Sequence, residues 1–179
     1  NPRVLTDAIA RMGIAVVPDC APFAMRKKLL VNTPHMAIGL LAWHDGVLNP
    51  ALWLELPQNQ TLATRVFDEC VVVARSQAQL LEAGDVSEMQ EPQLRAFARQ
   101  TLKRFSTTDD LSGRIIKKLT RLTLTEFSKS AVDRIVDTAD RYESETGEPA
   151  AGLNQALRIL VRLLADERYI ESGEPARKR

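Results

Sequence analysis

Lysine, asparagine and histidine fall close together in one otherwise apolar stretch, as Lys27, Lys28, Asn32 and His35. Polar side chains in such a stretch need partners if buried, and a group of them beside apolar residues often lines a cleft. On an ideal helix Lys28, Asn32 and His35 share one face. Lys27 is displaced by more than a quarter turn unless Pro34 distorts the helix. These residue types suit the oxidation of an alcohol. A lysine whose pKa is depressed by a nonpolar pocket takes the hydroxyl proton as the hydride leaves. An asparagine amide holds the developing oxyanion or carbonyl, and a histidine donates to a neighbouring hydroxyl. Taken alone, the same residues also describe a solvated helix edge at Lys27 and Lys28, a bend residue at Asn32, and a satisfied core histidine at His35.

Helices must position these groups. The residues span a helix expected over 23–44, entered through Pro22, bent at Pro34 and stopped at Asp45 and Gly46. The clearest periodicity runs over 59–83, where Val66, Cys70, Val73, Leu80 and Leu81 make an apolar stripe and Gly84 provides the stop. A further helix is expected over 91–105, with Pro92 at its start and Leu94, Phe97, Ala98, Leu102 and Phe105 on one face. Residues 106–113 are a polar break, and 115–124 fit a strand, a short helix or an irregular crossing. Helix is expected again over 128–141, with Val132, Ile135, Val136 and Ala139 inward, then a loop over 143–149 and an amphipathic helix over 153–164. A short helix over 5–12 and a brief extended piece over 14–17 precede them all. Gly147, Gly152 and Gly173 read as helix stops. With no period-two series, the fold class is all-α, one compact multi-helix bundle over 1–172 followed by a charged tail over 173–179.

The bulk composition agrees. A chain of 179 residues, 45% hydrophobic and 26% charged, is long enough to bury a core without disulfides or metals. Only 5% of residues are aromatic, so that core is chiefly Leu, Val, Ile and Ala. Basic residues number 24 and acidic ones 23, which gives no electrostatic reason to expect nucleic acid or an anionic membrane as partner. No apolar run approaches the roughly 18 residues of a membrane span. Cys20 and Cys70 make neither a disulfide framework nor a zinc site; reduced, structural thiols fit the cytoplasm. No glycine-rich turn follows a strand, so this chain is expected to bind no cofactor by itself.

The string from Arg26 to His35, followed by Ala37 to Gly46, resembles the signature of the polyol-specific long-chain dehydrogenases. This is the mannitol-type family, with mannitol-1-phosphate 5-dehydrogenases the nearest branch. Its pattern is a lysine, four residues, an asparagine, two residues and a histidine, which here selects Lys27, Asn32 and His35. The resemblance implies that Lys27 is the general base and that Asn32 and His35 position substrate oxygens. It implies a bundle similar to the C-terminal domain of mannitol and 6-phosphogluconate dehydrogenases. A looser similarity covers Phe105, Asp109, Asp110 and the segment from Arg114 to Leu122; it makes Arg114, Arg121 and Lys28 candidates for a substrate phosphate or terminal hydroxyl, where ordinary surface cations are the other reading. Pro34 departs from the small glycine usual in phosphate-type members.

In such enzymes NAD or NADP is held by an N-terminal Rossmann domain, which this chain lacks and which is expected to precede Asn1. The function so implied is the substrate-binding and acid–base half of a polyol or polyol-phosphate dehydrogenase, inactive without its cofactor domain. The competing expectation is a non-enzymatic helical module that kept the fold for association and lost catalysis.

Overall fold

A computed structural model describes residues 19–81, 86–107 and 129–165, and the regular structure among these residues is helical throughout. The expected segments over 5–17 and 115–124, Gly84, Gly173 and the tail over 173–179 lie outside the described residues.

Asp19 Oδ1 accepts the Ala21 N–H at 2.8 Å, and Pro22 occupies the first turn of α1 (Ala21–Lys27). A proline there costs the helix nothing, because an N–H in the first turn has no intrahelical acceptor. The chain then passes through a π turn (Lys28–Asn32) into α2 (Thr33–His44). The distortion expected at Pro34 is thus absorbed in the preceding turn. Proline lacks an N–H, and its ring would meet the carbonyl four residues back in an unperturbed helix. Widening the turn relieves that conflict. The Thr33 N–H reaches the Lys28 carbonyl, five residues back, and Thr33 Oγ1 donates to the same oxygen at 3.1 Å. The helix ends where expected, at Asp45 and at Gly46 with φ +77°.

Helix α2 is buried nearly all round, including Thr33, Pro34 and Met36 to Trp43. A helix apolar on every side belongs at the centre of a bundle. The short α3 (Pro50–Trp53), which the sequence pattern did not reveal, is capped by Asn49, whose Oδ1 accepts the Ala51 N–H at 2.9 Å. Trp53, its last residue, is buried; its Nε1–H donates to Asp45 Oδ2 at 2.8 Å and its carbonyl accepts from Asn59 Nδ2 at 2.8 Å.

Helix α4 (Pro57–Leu80) is the scaffold against which α2, the first π turn and the later helices pack. Its buried stripe centres on Ala63, Phe67, Cys70, Ala74 and Ala78. That centring corrects the expected stripe at its end: Leu80 is left on the margin, 71% exposed, and Leu81 falls past the last turn, 43% exposed. After a 3-10 turn (Ser87–Met89) comes α5 (Glu91–Phe105), with the anticipated bounds and Pro92 at its start. Leu94, Ala98, Thr101 and Phe105 are buried, while Phe97 and Leu102 pack half-buried against the core. Arg75 and Arg95 both reach Glu91, at 3.0 and 2.9 Å, and Arg95 also meets Asp68 at 3.2 Å, joining α4 to α5 along the surface.

The last part contains a second π turn (Val132–Val136), α6 (Asp137–Thr146) and α7 (Ala151–Ala165). Ile135 and Ala139 point inward as expected, joined by Ala131 and Thr138, but Val132 is exposed. The π turn is the reason: it inserts a wider turn, so the three-to-four spacing that aligned Val132 with Ile135 no longer holds. Helix α6 also runs through part of the expected loop, stopping at Gly147 with φ +72°. Gly147 therefore ends a helix as expected. Gly152 does not; it lies in the first turn of α7. A Cβ there would sit 2.9 Å from Val66 Cγ2 and 3.0 Å from the Val66 backbone nitrogen, so glycine is what lets α7 approach α4.

The junction of α4 and α7 is sealed by a buried carboxylate. Glu69 Oε1 and Oε2 accept the Gly152 and Leu153 N–H groups at 2.7 and 2.8 Å. These donors belong to a helix start, where backbone N–H groups lack intrahelical acceptors and the dipole favours negative charge. Burial pushes the Glu69 carboxyl above the ordinary glutamate range, and the two backbone donors only partly oppose it.

Candidate functional site

Lys27, Asn32 and His35 lie along α1, the first π turn and α2. The π turn falls between the lysine and the asparagine. This placement matters for their register. Residues five apart are offset in an α-helix, but the five-residue hydrogen bond of a π turn brings them toward the same side. Lys27 and Asn32 are five apart, and His35 follows Asn32 by three residues, an α-helical neighbour spacing. The distortion that would bring Lys27 toward Asn32 and His35 is therefore present. π turns inside α-helices occur frequently at functional sites.

The three side chains differ in environment. Lys27 is exposed, while Asn32 and His35 are half-buried. The His35 ring lies 5.6 Å from that of Phe105, tilted by 48°, and Phe105 in turn lies 5.9 Å from Phe67. An aromatic seam thus ties His35 to α4 and α5. The described residues leave the Lys27 side chain open on the surface.

Lys28 is engaged elsewhere. Its Nζ meets Asp133 Oδ1 at 2.7 Å, with side chains 40% and 57% exposed. This pair joins the first π turn to the second, and the two turns pack against each other. Each is followed by a buried threonine that bonds back into its own helix: Thr33 Oγ1 donates to the Lys28 carbonyl and Thr138 Oγ1 to the Arg134 carbonyl. Threonine back-bonding of this kind bends helices. Arg26 extends the arrangement, lying 4.6 Å from the Phe97 ring centroid and 5.3 Å from that of Phe23.

Arg114 and Arg121 lie outside the described residues. Of the six candidate site residues, the structure thus places three along α1, the first π turn and α2, pairs Lys28 with Asp133, and leaves two undescribed. Sequence reasoning missed Asp133 and Glu69. Glu69 carried a visible signal, a carboxylate inside an apolar helix stripe. Asp133 carried none, because its partner is 105 positions away.

No family model, curated protein or solved structure matches this chain. Among the described residues no group of histidine, cysteine and carboxylate side chains could hold a metal ion. Cys20 and Cys70 are both free, the first exposed and the second buried, and burial pushes the Cys70 thiol well up. No helix of the described residues is long and apolar enough to cross a membrane.

Proposed function

We propose that this chain is the substrate-binding and acid–base half of a mannitol-type dehydrogenase acting on a polyol or polyol phosphate. The observation that carries the reading is the Lys27, Asn32, His35 spacing laid across a π turn that favours their alignment. In this reading Lys27 Nζ accepts the proton of the reacting hydroxyl, and the Asn32 amide donates to that oxygen as it becomes a carbonyl. His35, held against Phe105, donates to an adjacent hydroxyl of the substrate.

In this reading the described residues hold the polyol and not NAD or NADP. The dinucleotide belongs, in this reading, to a Rossmann domain elsewhere in the full protein. Exposure of Lys27 agrees with such a division, since a lysine in a cleft between two domains is open when one is viewed alone.

The test is polyol-dependent reduction of NAD or NADP by the full protein, compared with Lys27→Ala. Turnover should fall by about two to four orders of magnitude, as loss of a general base requires. Near-normal turnover would remove Lys27 from that role. The second reading, a non-catalytic association module, is favoured by Leu48, Leu52 and Leu56, which are 49%, 55% and 48% exposed around α3. Absence of dehydrogenase activity in the full protein, with self-association lost on Leu52→Asp but kept on Lys27→Ala, would support it.

A further inference from the structure

The outer side of α7 carries an open groove of about 460 Å3 bordered by Asn154, Leu157, Arg158, Val161 and Arg162. These positions form one stripe on the side away from the buried Leu153, Ala156, Leu160 and Leu163.

Several basic side chains elsewhere on the surface are already engaged. Lys28 is paired with Asp133, Arg75 with Glu91, and Arg95 with Glu91 and Asp68. Arg26 lies over two aromatic rings. Arg158 and Arg162 are both exposed, and among the described residues neither has a carboxylate within ion-pair distance. They stand one helical turn apart, where like charges oppose the helix. Glu143, at the Asn154 end of the stripe, is already taken up by Asn154 Nδ2 at 2.8 Å and the Ala150 N–H at 3.1 Å. Beside the arginines Val161 is 57% exposed.

We propose that this groove binds a small molecule carrying an oxyanion of the phosphate type next to an apolar group. Two guanidinium forks one turn apart each present parallel N–H donors that match such an oxyanion. Leu157 and Val161 supply the apolar wall. The inference is independent of the dehydrogenase reading, because it uses none of the residues assigned there.

The test uses the chain with phenylphosphonate, inorganic phosphate and benzyl alcohol as three separate probes, followed by NMR of the arginine Nε–H and valine methyl groups. Phenylphosphonate should bind saturably and several-fold more tightly than inorganic phosphate, with benzyl alcohol weakest. Arg158→Gln/Arg162→Gln should raise its Kd at least tenfold while circular dichroism stays unchanged. Val161→Ser should weaken phenylphosphonate but leave inorganic phosphate as it was. Equal binding by the double glutamine variant, or no saturable binding, would overturn the proposal. So would binding of polyglutamate with phenylphosphonate inert, which would assign the stripe to an acidic polypeptide instead.

Discussion

Two residues at the α4–α7 junction show how position, more than type, decides a side chain's work. Glu69 falls within a helix periodicity that otherwise marks apolar core, and it serves there as a charged cap for a helix start more than eighty residues on. Glu69→Ala would leave two buried N–H groups without acceptors, at a cost of about 2–4 kcal/mol in a urea titration. Its pH dependence has a definite sign. The folded state raises the Glu69 pKa, so it binds this proton more readily than the unfolded chain. Relative to Glu69→Gln, the wild type should therefore gain stability as pH falls from the raised value toward the ordinary glutamate value, with no further gain below it. A difference curve that ran the other way would show the two backbone bonds outweighing desolvation. Gly152→Ala should cost about 1–3 kcal/mol, since its methyl would meet the Val66 backbone, which has little room to yield.

At the scale of the element, the two π turns carry most of what is specific to this fold. Each displaces side chains from their α-helical register: the first favours alignment of Lys27 with Asn32, and the second turns Val132 to solvent. Their link, Lys28 to Asp133, is short but exposed on both sides. Such a pair contributes little to stability. Asp133→Asn should accordingly change unfolding free energy by less than about 1 kcal/mol, and what difference exists should shrink in high salt. A larger, salt-insensitive loss would mean that the pair holds the π turns themselves in place.

For the whole molecule, the decisive packing is where α2, α4 and α5 meet. Phe105 is buried there between Phe67 and His35. Phe105→Ala should cost about 3–5 kcal/mol. Thermal unfolding should stay a single transition shifted to lower temperature, because the helices share one core. In the full protein the same variant should also raise KM for polyol if His35 holds a substrate hydroxyl. Unchanged KM with lowered stability would confine Phe105 to the core.

Local signals written along the chain determined much of this protein. Prolines at helix starts, Asp45 with Gly46, Gly147 and the apolar spacing of α5 are properties of neighbouring residues, and the helices they predict are present. The Lys27, Asn32, His35 spacing was legible for the same reason. Pro34 likewise announced a distortion, because a missing N–H and a ring clash act within one turn. Tertiary structure alone decided that Lys28 would meet Asp133, that Gly152 would lie against Val66 and that Glu69 would cap the start of α7. Each of these depends on a partner distant in sequence, and no periodicity within one helix records which other helix will lie against it.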